Sequence, residues 1–149
     1  MRTRKILFRE ADGQSYPLKE VATGIKSFAL IQSLLLKGRL SKNTLLIIDE
    51  PEAHLHPQWV VEYARMIHTL HRQCGVRFLI ASHSPLMIEA LHNLAKEQEL
   101  STKSLCYYIA KKDKLDVDKY NYESVGVDID KIFVLFNTSY DIMDKYEEQ

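Results

Sequence analysis

The stretch that constrains this chain most is Leu45-Leu46-Ile47-Ile48-Asp49-Glu50-Pro51-Glu52-Ala53-His54-Leu55-His56-Pro57. Four consecutive aliphatics run straight into two adjacent carboxylates, and a proline stops the strand behind them. An unbroken aliphatic run is the pattern of a strand buried on both faces, as in a parallel sheet. Acids at the carboxyl end of such a strand stand where open α/β sheets bind ligands. Taken alone, the run also fits a strand that simply ends in solvated acids, so the surrounding chain has to decide.

That chain alternates strand and helix. Residues 4–10 read as a short strand, Asp12-Gly13 as a hairpin turn, and Tyr16-Pro17-Leu18 as the returning strand. Thr23 or Gly24 opens a helix whose wide apolar face carries Phe28, Leu30, Ile31, Leu34 and Leu35, and Gly38 ends it. After the acids, Pro57 suits the first position of a helix with Val60, Tyr63, Ile67 and Leu70 on one face, closed at Cys74-Gly75. Residues 76–81 form a second buried strand, and Ser84-Pro85 caps the helix that carries Met87, Ala90, Leu91 and Leu94 inward. Residues 104–110 are a third strand, paired with Leu115-Asp116-Val117 across a turn at 111–114. Ile129, Ile132, Phe133 and Phe136 mark a closing helix, interrupted near Asn137-Thr138-Ser139, with Thr138 and Asp141 as caps for a last one. The expected class is α/β with a mostly parallel sheet flanked by helices.

Composition adds exclusions. The 149 residues suffice for one domain with a real core, and 46% hydrophobic with 27% charged residues is ordinary globular usage. Net charge is zero, so no global field favours nucleic acid or a membrane, although a local basic patch stays open. No stretch has the length of a membrane span. Cys74 and Cys106 form no CxxC pair, which favours free thiols and a cytoplasmic setting.

Four features could carry chemistry. Thr23-Gly24-Ile25-Lys26-Ser27 starts a helix, where backbone N–H groups, the dipole, a hydroxyl and a lysine suit an anion. A plain N-cap followed by a solvated lysine explains the same residues. Asp49 can hold a hydrated Mg²⁺, and Glu50 can polarise a water for in-line attack on phosphate. His83 follows the neighbouring strand and so faces the same sheet edge, where an imidazole can hydrogen-bond a phosphate oxygen. His54 and His56, with Asp49, Glu50 and His83, also look like a ligand set for Zn²⁺ or Mn²⁺. A two-residue spacing on a loop does not fix both rings on one ion, so shaping the loop or a subunit contact is their more economical role.

These residues carry a family resemblance. Val21-Ala22-Thr23-Gly24-Ile25-Lys26-Ser27 resembles a degenerate ABC-type signature motif, and Leu45 to Glu50 resembles a Walker B strand ending in the catalytic glutamate. Glu52-Ala53-His54-Leu55-His56-Pro57 is similar to the D-loop of non-transporter ABC-type ATPases of the RecF-like and overcoming-lysogenization-defect-like group. Ala81-Ser82-His83-Ser84-Pro85 is similar to their switch-histidine loop. The resemblance implies ATP and Mg²⁺ as cofactors, with Asp49 on the metal, Glu50 orienting the attacking water and His83 sensing the γ-phosphate. Thr23, Gly24, Lys26 and Ser27 would serve a nucleotide held by an opposing subunit in a head-to-tail dimer, with His56 of the D-loop nearby. It also implies the C-terminal half of an ABC-type P-loop ATPase fold. The expected layout is one domain over 1–149: a hairpin in 1–20, the signature-like helix in 21–38, and Walker B with the D-loop in 44–57. The switch-histidine strand and helix follow in 76–95, and the C-terminal strands and helices in 104–149.

Two departures qualify the likeness. Ala22 stands where the family signature usually has a serine that touches the γ-phosphate. No G-x-x-x-x-G-K-[ST] occurs, and none of the five glycines is placed to build that loop. The expectation is a C-terminal piece of a longer ATPase, or a natural half that needs a separate N-terminal lobe, catalytic in either case only with the lobe that carries the phosphate loop. On its own the chain is expected to hydrolyse ATP poorly or not at all. The rival readings are a non-catalytic dimerisation or interaction module and a metal-dependent phosphoesterase.

Overall fold

In the computed structural model, the structure describes residues 7–9, 15–17, 23–96, 104–113, 116 and 118–137. The chain divides into two compact units, Met1–Ala90 and Leu91–Gln149.

The first unit opens with strands β1 (Leu7–Arg9) and β2 (Ser15–Pro17), paired antiparallel with Phe8 opposite Tyr16. Helix α1 (Thr23–Leu36) follows. It ends where Gly38 takes φ 62°, and the amides of Gly38 and Arg39 bond back to the carbonyls of Leu35 and Leu34. This is a Schellman closure, which needs a residue tolerant of the left-handed region. Strand β3 (Leu45–Asp49), helix α2 (Pro57–Cys74) and strand β4 (Arg77–Ala81) form a βαβ unit in which β3 and β4 pair in parallel from Leu45↔Arg77 to Asp49↔Ala81. Parallel neighbours require such a crossover.

Helix α2 is bounded as the sequence indicates. Pro57 sits in its first turn, and Gly75 caps its end at φ 69° with its amide on the His71 carbonyl. Val60, Tyr63, Ala64, Ile67 and Leu70 are buried along one face. Phe28 of α1 meets Tyr63 edge-to-face at 4.9 Å and Trp59 at 5.8 Å, which seats α1 on α2. The apolar face of α1 is narrower than expected. Ile31 is buried, but Leu30 and Leu35 are about half exposed at 50% and 46%, because the contact runs through Phe28 and Ile31. Helix α3 (Pro85–Lys96) leads out of this unit, with Met87 fully buried.

The expectation that β3 and β4 are buried on both faces needs correction. Leu46, Ile48, Phe78 and Ile80 lie on the half-covered face, whereas Leu45, Ile47 and Leu79 are 52%, 72% and 57% exposed. Among the described residues the parallel sheet has only two strands, and only one of its faces is covered.

In the second unit, β5 (Tyr107–Lys112) and β6 (Tyr120–Gly126) form an antiparallel hairpin with an irregularity between Tyr107 and Tyr108. Residues 130–137 form helix α4. Among the described residues of this unit, His92, Ile109, Val125 and Ile132 are buried. The return strand therefore lies later than the 115–117 expected. Asp116 belongs to the connection, where the Asp113 amide bonds the Lys119 carbonyl and the Lys119 amide bonds the Asp116 carbonyl. Leu115, Val117 and the last helix expected after Thr138 lie outside the described residues.

Candidate functional site

The carboxyl edge of the β3–β4 pair gathers the candidate acids and the candidate histidine. Asp49 is the last residue of β3 and stands opposite Ala81, the last of β4. The ladder reaches one residue further, because the Glu50 amide donates to the Ala81 carbonyl at 2.8 Å. Glu50 then turns into the left-handed region at φ 45°, and His54 does the same at φ 63°. For non-glycine residues such backbone costs on the order of 1–3 kcal/mol each and persists only where its surroundings enforce it. Here the enforcement comes from two successive turns, Ala53 amide to Glu50 carbonyl and Leu55 amide to Glu52 carbonyl, both at 3.0 Å, and Pro51 within them is buried.

This geometry brings Glu50 to His83. Glu50 Oε1 and His83 Nε2 lie 3.8 Å apart, with the side chains 54% and 87% exposed. Such a separation is an ion pair only when the imidazole is protonated, and at this exposure water screens it. Both side chains are open to solvent. Asp49 is also exposed.

Glu52, in the same turn, has a different part. Its Oε1 accepts the Ser82 hydroxyl at 2.7 Å and the His83 amide at 3.0 Å. Ser82 Oγ in turn accepts the Ser84 amide, and Ser84 Oγ accepts the Met87 amide as the cap of α3. The Ser84-Pro85 start of α3 is thus as the sequence indicates. The link through Glu52 was not, since no local pattern reports a contact 30 residues away.

The α1 end of the candidate set is keyed to the same turn. Gly24 is buried, and a Cβ there would meet Leu55 Cδ2 at 2.4 Å and the His54 carbonyl oxygen at 3.1 Å. A side chain here would oblige the Leu55 side chain to move and the His54 carbonyl to give by a few tenths of an ångström. Ser27 Oγ donates to the Gly24 carbonyl at 3.1 Å, so its hydrogen is engaged within the helix. Lys26 is half-buried. Thr23 opens α1, as the sequence indicates. Among the described residues, no hydrogen bond or ion pair joins Thr23, Gly24, Lys26 or Ser27 to Glu50 or His83. His56 caps α2, its Nδ1 accepting the Gln58 amide at 3.4 Å.

The donor set at the edge suits a hard cation. Asp49 and Glu50 offer exposed carboxylate oxygens, and Mg²⁺ is commonly held by one or two carboxylates together with substrate phosphates and water. The transition-metal alternative fits less well. Among the described residues, no three of His, Cys, Asp or Glu assemble as a metal cluster, so His54 and His56 do not join Asp49, Glu50 and His83 around one ion. Among those residues, too, no helix is long and apolar enough to cross a membrane.

Comparisons with known proteins bear on the family and the fold. Residues 4–89 match the family described as "AAA domain, putative AbiEii toxin, Type IV TA system". The chain is similar to the Old nuclease of Escherichia phage P2, 33% identical over 98 residues that cover 66% of this chain and 16% of the phage protein. It thus spans about a sixth of that relative's length. A solved structure, from work described as "Structural biochemistry of ATP-driven dimerization and DNA stimulated activation of SMC ATPases", superposes with a TM-score of 0.52. It is 10% identical, and the alignment covers 97% of this chain and 73% of that one, a likeness of fold. With more than half its residues matched, the chain belongs to this AAA-domain family, as a RecF-like and overcoming-lysogenization-defect-like ATPase domain of the P-loop α/β fold.

Proposed function

We propose that the carboxyl edge of β3 and β4 is the hydrolytic half of an ATP site. The observation that carries this reading is the convergence of Glu50 and His83 at 3.8 Å, with Glu50 held in left-handed backbone at the end of a parallel strand. In it, Asp49 binds Mg²⁺, which neutralises charge on the β- and γ-phosphates. Glu50 accepts a proton from the attacking water and orients it. His83 donates a hydrogen bond to a γ-phosphate oxygen, and its exposed ring is free to reach one.

Two further parts belong to the same proposal. The N-terminus of α1, with Thr23, Gly24, Lys26 and Ser27, contacts a nucleotide bound by a second subunit in a head-to-tail dimer. Helix N-termini favour anions, and the solved relative's description speaks of ATP-driven dimerization. His56 keeps Nε2 for that nucleotide while Nδ1 caps α2. The triphosphate itself is cradled by a lobe carrying a glycine-rich phosphate loop, a motif this sequence lacks. The exposed aliphatic face of Leu45, Ile47 and Leu79 supports such a lobe, because apolar area of that kind is stabilised when another layer covers it.

The test is a titration with Mg²⁺ and ATP of the chain alone and of a form joined to a phosphate-loop lobe. Binding and turnover are expected only in the second. If the second form binds no nucleotide, the ATP reading fails. A non-catalytic interaction module is the alternative favoured by the exposed sheet face. It predicts that covering this face restores stability without conferring nucleotide binding.

A further inference from the structure

Glu52 stands between the two loops of the proposed site without taking part in its chemistry. Its Oε1 accepts two hydrogen bonds from residues 30 and 31 positions away, the Ser82 hydroxyl and the His83 amide. Its Oε2 is sealed from solvent and has no hydrogen-bond partner among the described residues. An acid so placed is not a solvated surface group, since burying a carboxylate is costly unless donors meet it. Charge-assisted bonds of this kind are roughly twice as strong as neutral ones.

The position of His83 depends on this link for a specific reason. The imidazole is 87% exposed, so side-chain packing does little to hold it. Its place is set by its own backbone, and the His83 amide is bound by Glu52. Ser82, also bound by Glu52, accepts the Ser84 amide and so steadies the next residue as well. Glu50 and Glu52 lie in one turn, and the residues that follow, His54 and Leu55, pack close to Gly24. One rigid turn therefore presents Glu50 and, through Glu52, fixes the loop that presents His83.

We propose that Glu52 is a positioning residue: its carboxylate ties the turn after β3 to the loop after β4 and holds His83 at working distance from Glu50. The inference rests on the reading of Glu50 and His83 as partners at a nucleotide phosphate, and its test has one arm that needs no nucleotide. In ¹H–¹⁵N spectra of the full 149-residue chain, Glu52→Ala is expected to move the amide signals of His83 and Ser84 while those of Leu45–Ile48 stay in place. Glu52→Asp, one methylene too short to reach, moves the same signals, and serves if the alanine variant does not fold. Glu52→Gln keeps an acceptor oxygen for both donors and leaves His83 close to the wild-type position. A His83 amide unmoved in both the alanine and the aspartate variant overturns the clamp.

The second arm measures ATP turnover in the form joined to a phosphate-loop lobe. Glu52→Ala lowers kcat about 10-fold or more with KM for ATP little changed, and Glu52→Gln restores most of it. Combined with His83→Ala, it slows the enzyme no further than His83→Ala alone, as residues acting through one contact are non-additive. Multiplying losses overturn a role through His83. If the wild-type form binds no ATP, the nucleotide reading falls, while the spectra still decide whether Glu52 is the clamp.

Discussion

The carboxylates of two regions of this protein have different surroundings. In the β5–β6 hairpin every acid that shows a perturbed titration has a lysine on it. Glu123 is paired with Lys111 and approached by Lys131, and Asp116 is paired with Lys119. These bonds hold both carboxyls below their usual range. At the carboxyl edge of β3 and β4, no lysine or arginine pairs with Asp49, Glu50 or Glu52 among the described residues. Glu52 is bound by a hydroxyl and an amide, and Glu50 faces only a histidine. The hairpin acids are neutralised by the chain itself. Asp49 and Glu50, exposed and without a lysine or arginine on them, keep negative charge of the kind a divalent cation binds.

The sharpest way to break this contrast is to remove one charge from each region. In a form joined to a phosphate-loop lobe, Glu50→Gln is expected to cut ATP turnover by about 10²- to 10⁴-fold, the range of a lost general base. Binding of Mg²⁺ and ATP should survive, because the amide keeps the shape of the side chain. The matched hairpin change, Glu123→Gln, should leave turnover within about two-fold, as expected for an exposed ion pair. Steady-state kinetics and a nucleotide titration check both. Equal losses in the two regions would mean that charge alone does not mark the site.

A second difference is mechanical. The edge depends on a close approach of backbone to α1 at Gly24, whereas nothing lies within 4 Å of a Cβ built on Gly126 at the end of β6. Gly24→Ala should therefore destabilise the first unit by about 1–3 kcal/mol, the usual cost of forcing extra volume into a packed place. The Leu55 side chain can shift, but the His54 carbonyl, 3.1 Å from the added carbon, belongs to a turn already in left-handed backbone. Urea unfolding is the measurement, with a lower midpoint at unchanged slope. A midpoint equal to wild type would show that the turn yields without cost.

Much of this was legible in the residues. The helix boundaries at Pro57, Gly75, Ser84 and Gly38 follow from side chains that favour those backbone states, and the structure has all four. Asp49, Glu50 and His83 could be placed on one edge because parallel strands end in register. The left-handed backbone at Glu50 could not be read, since glutamate carries no local signal for it. Nor could Glu52, whose partners are fixed only when β4 lies beside β3. The exposure of Leu45, Ile47 and Leu79 was missed for the opposite reason. An aliphatic run reports what a strand is suited to, and the described chain covers one face only. The hairpin return was misplaced because Leu115 and Val117 look like strand residues, whereas the pairing begins at Tyr120.

Buried phenols supply a test of the first unit that leaves the edge untouched. Tyr63 is 1% exposed, and burial pushes its phenol up to about 12 from 10.0. A raised folded value means that the unfolded chain loses its proton first. Stability from this group is full below pH 10 and is lost as pH rises toward 12. Thermal melts from pH 9 to 11.5 should show a falling midpoint, and Tyr63→Phe should flatten that fall. Tyr107, pushed up to about 12 by burial in the second unit, contributes with the same sign, so the flattening is partial.

The smallest effect concerns the hairpin acids themselves. The Lys111 hydrogen bond is the main cause of the lowered Glu123 value, and the Lys119 hydrogen bond is the main cause for Asp116. A depressed folded value means that the native state holds its proton less tightly than the unfolded chain. The stability is therefore present above the ordinary values of 4.5 and 3.8 and is lost as pH falls through the depressed ones. Both pairs are exposed, with Lys111 and Glu123 at 55% and 44%, so the loss should be slight and should shrink further in high salt. Lys111→Met should remove most of the Glu123 share, read as a flatter acid limb in melts from pH 5 to 3. The same substitution should leave Mg²⁺ and ATP binding unchanged in the joined form. An acid limb that stays as steep without Lys111 would show that the lysine does not neutralise Glu123, and the distinction between chain-neutralised and available acids would lose its hairpin half.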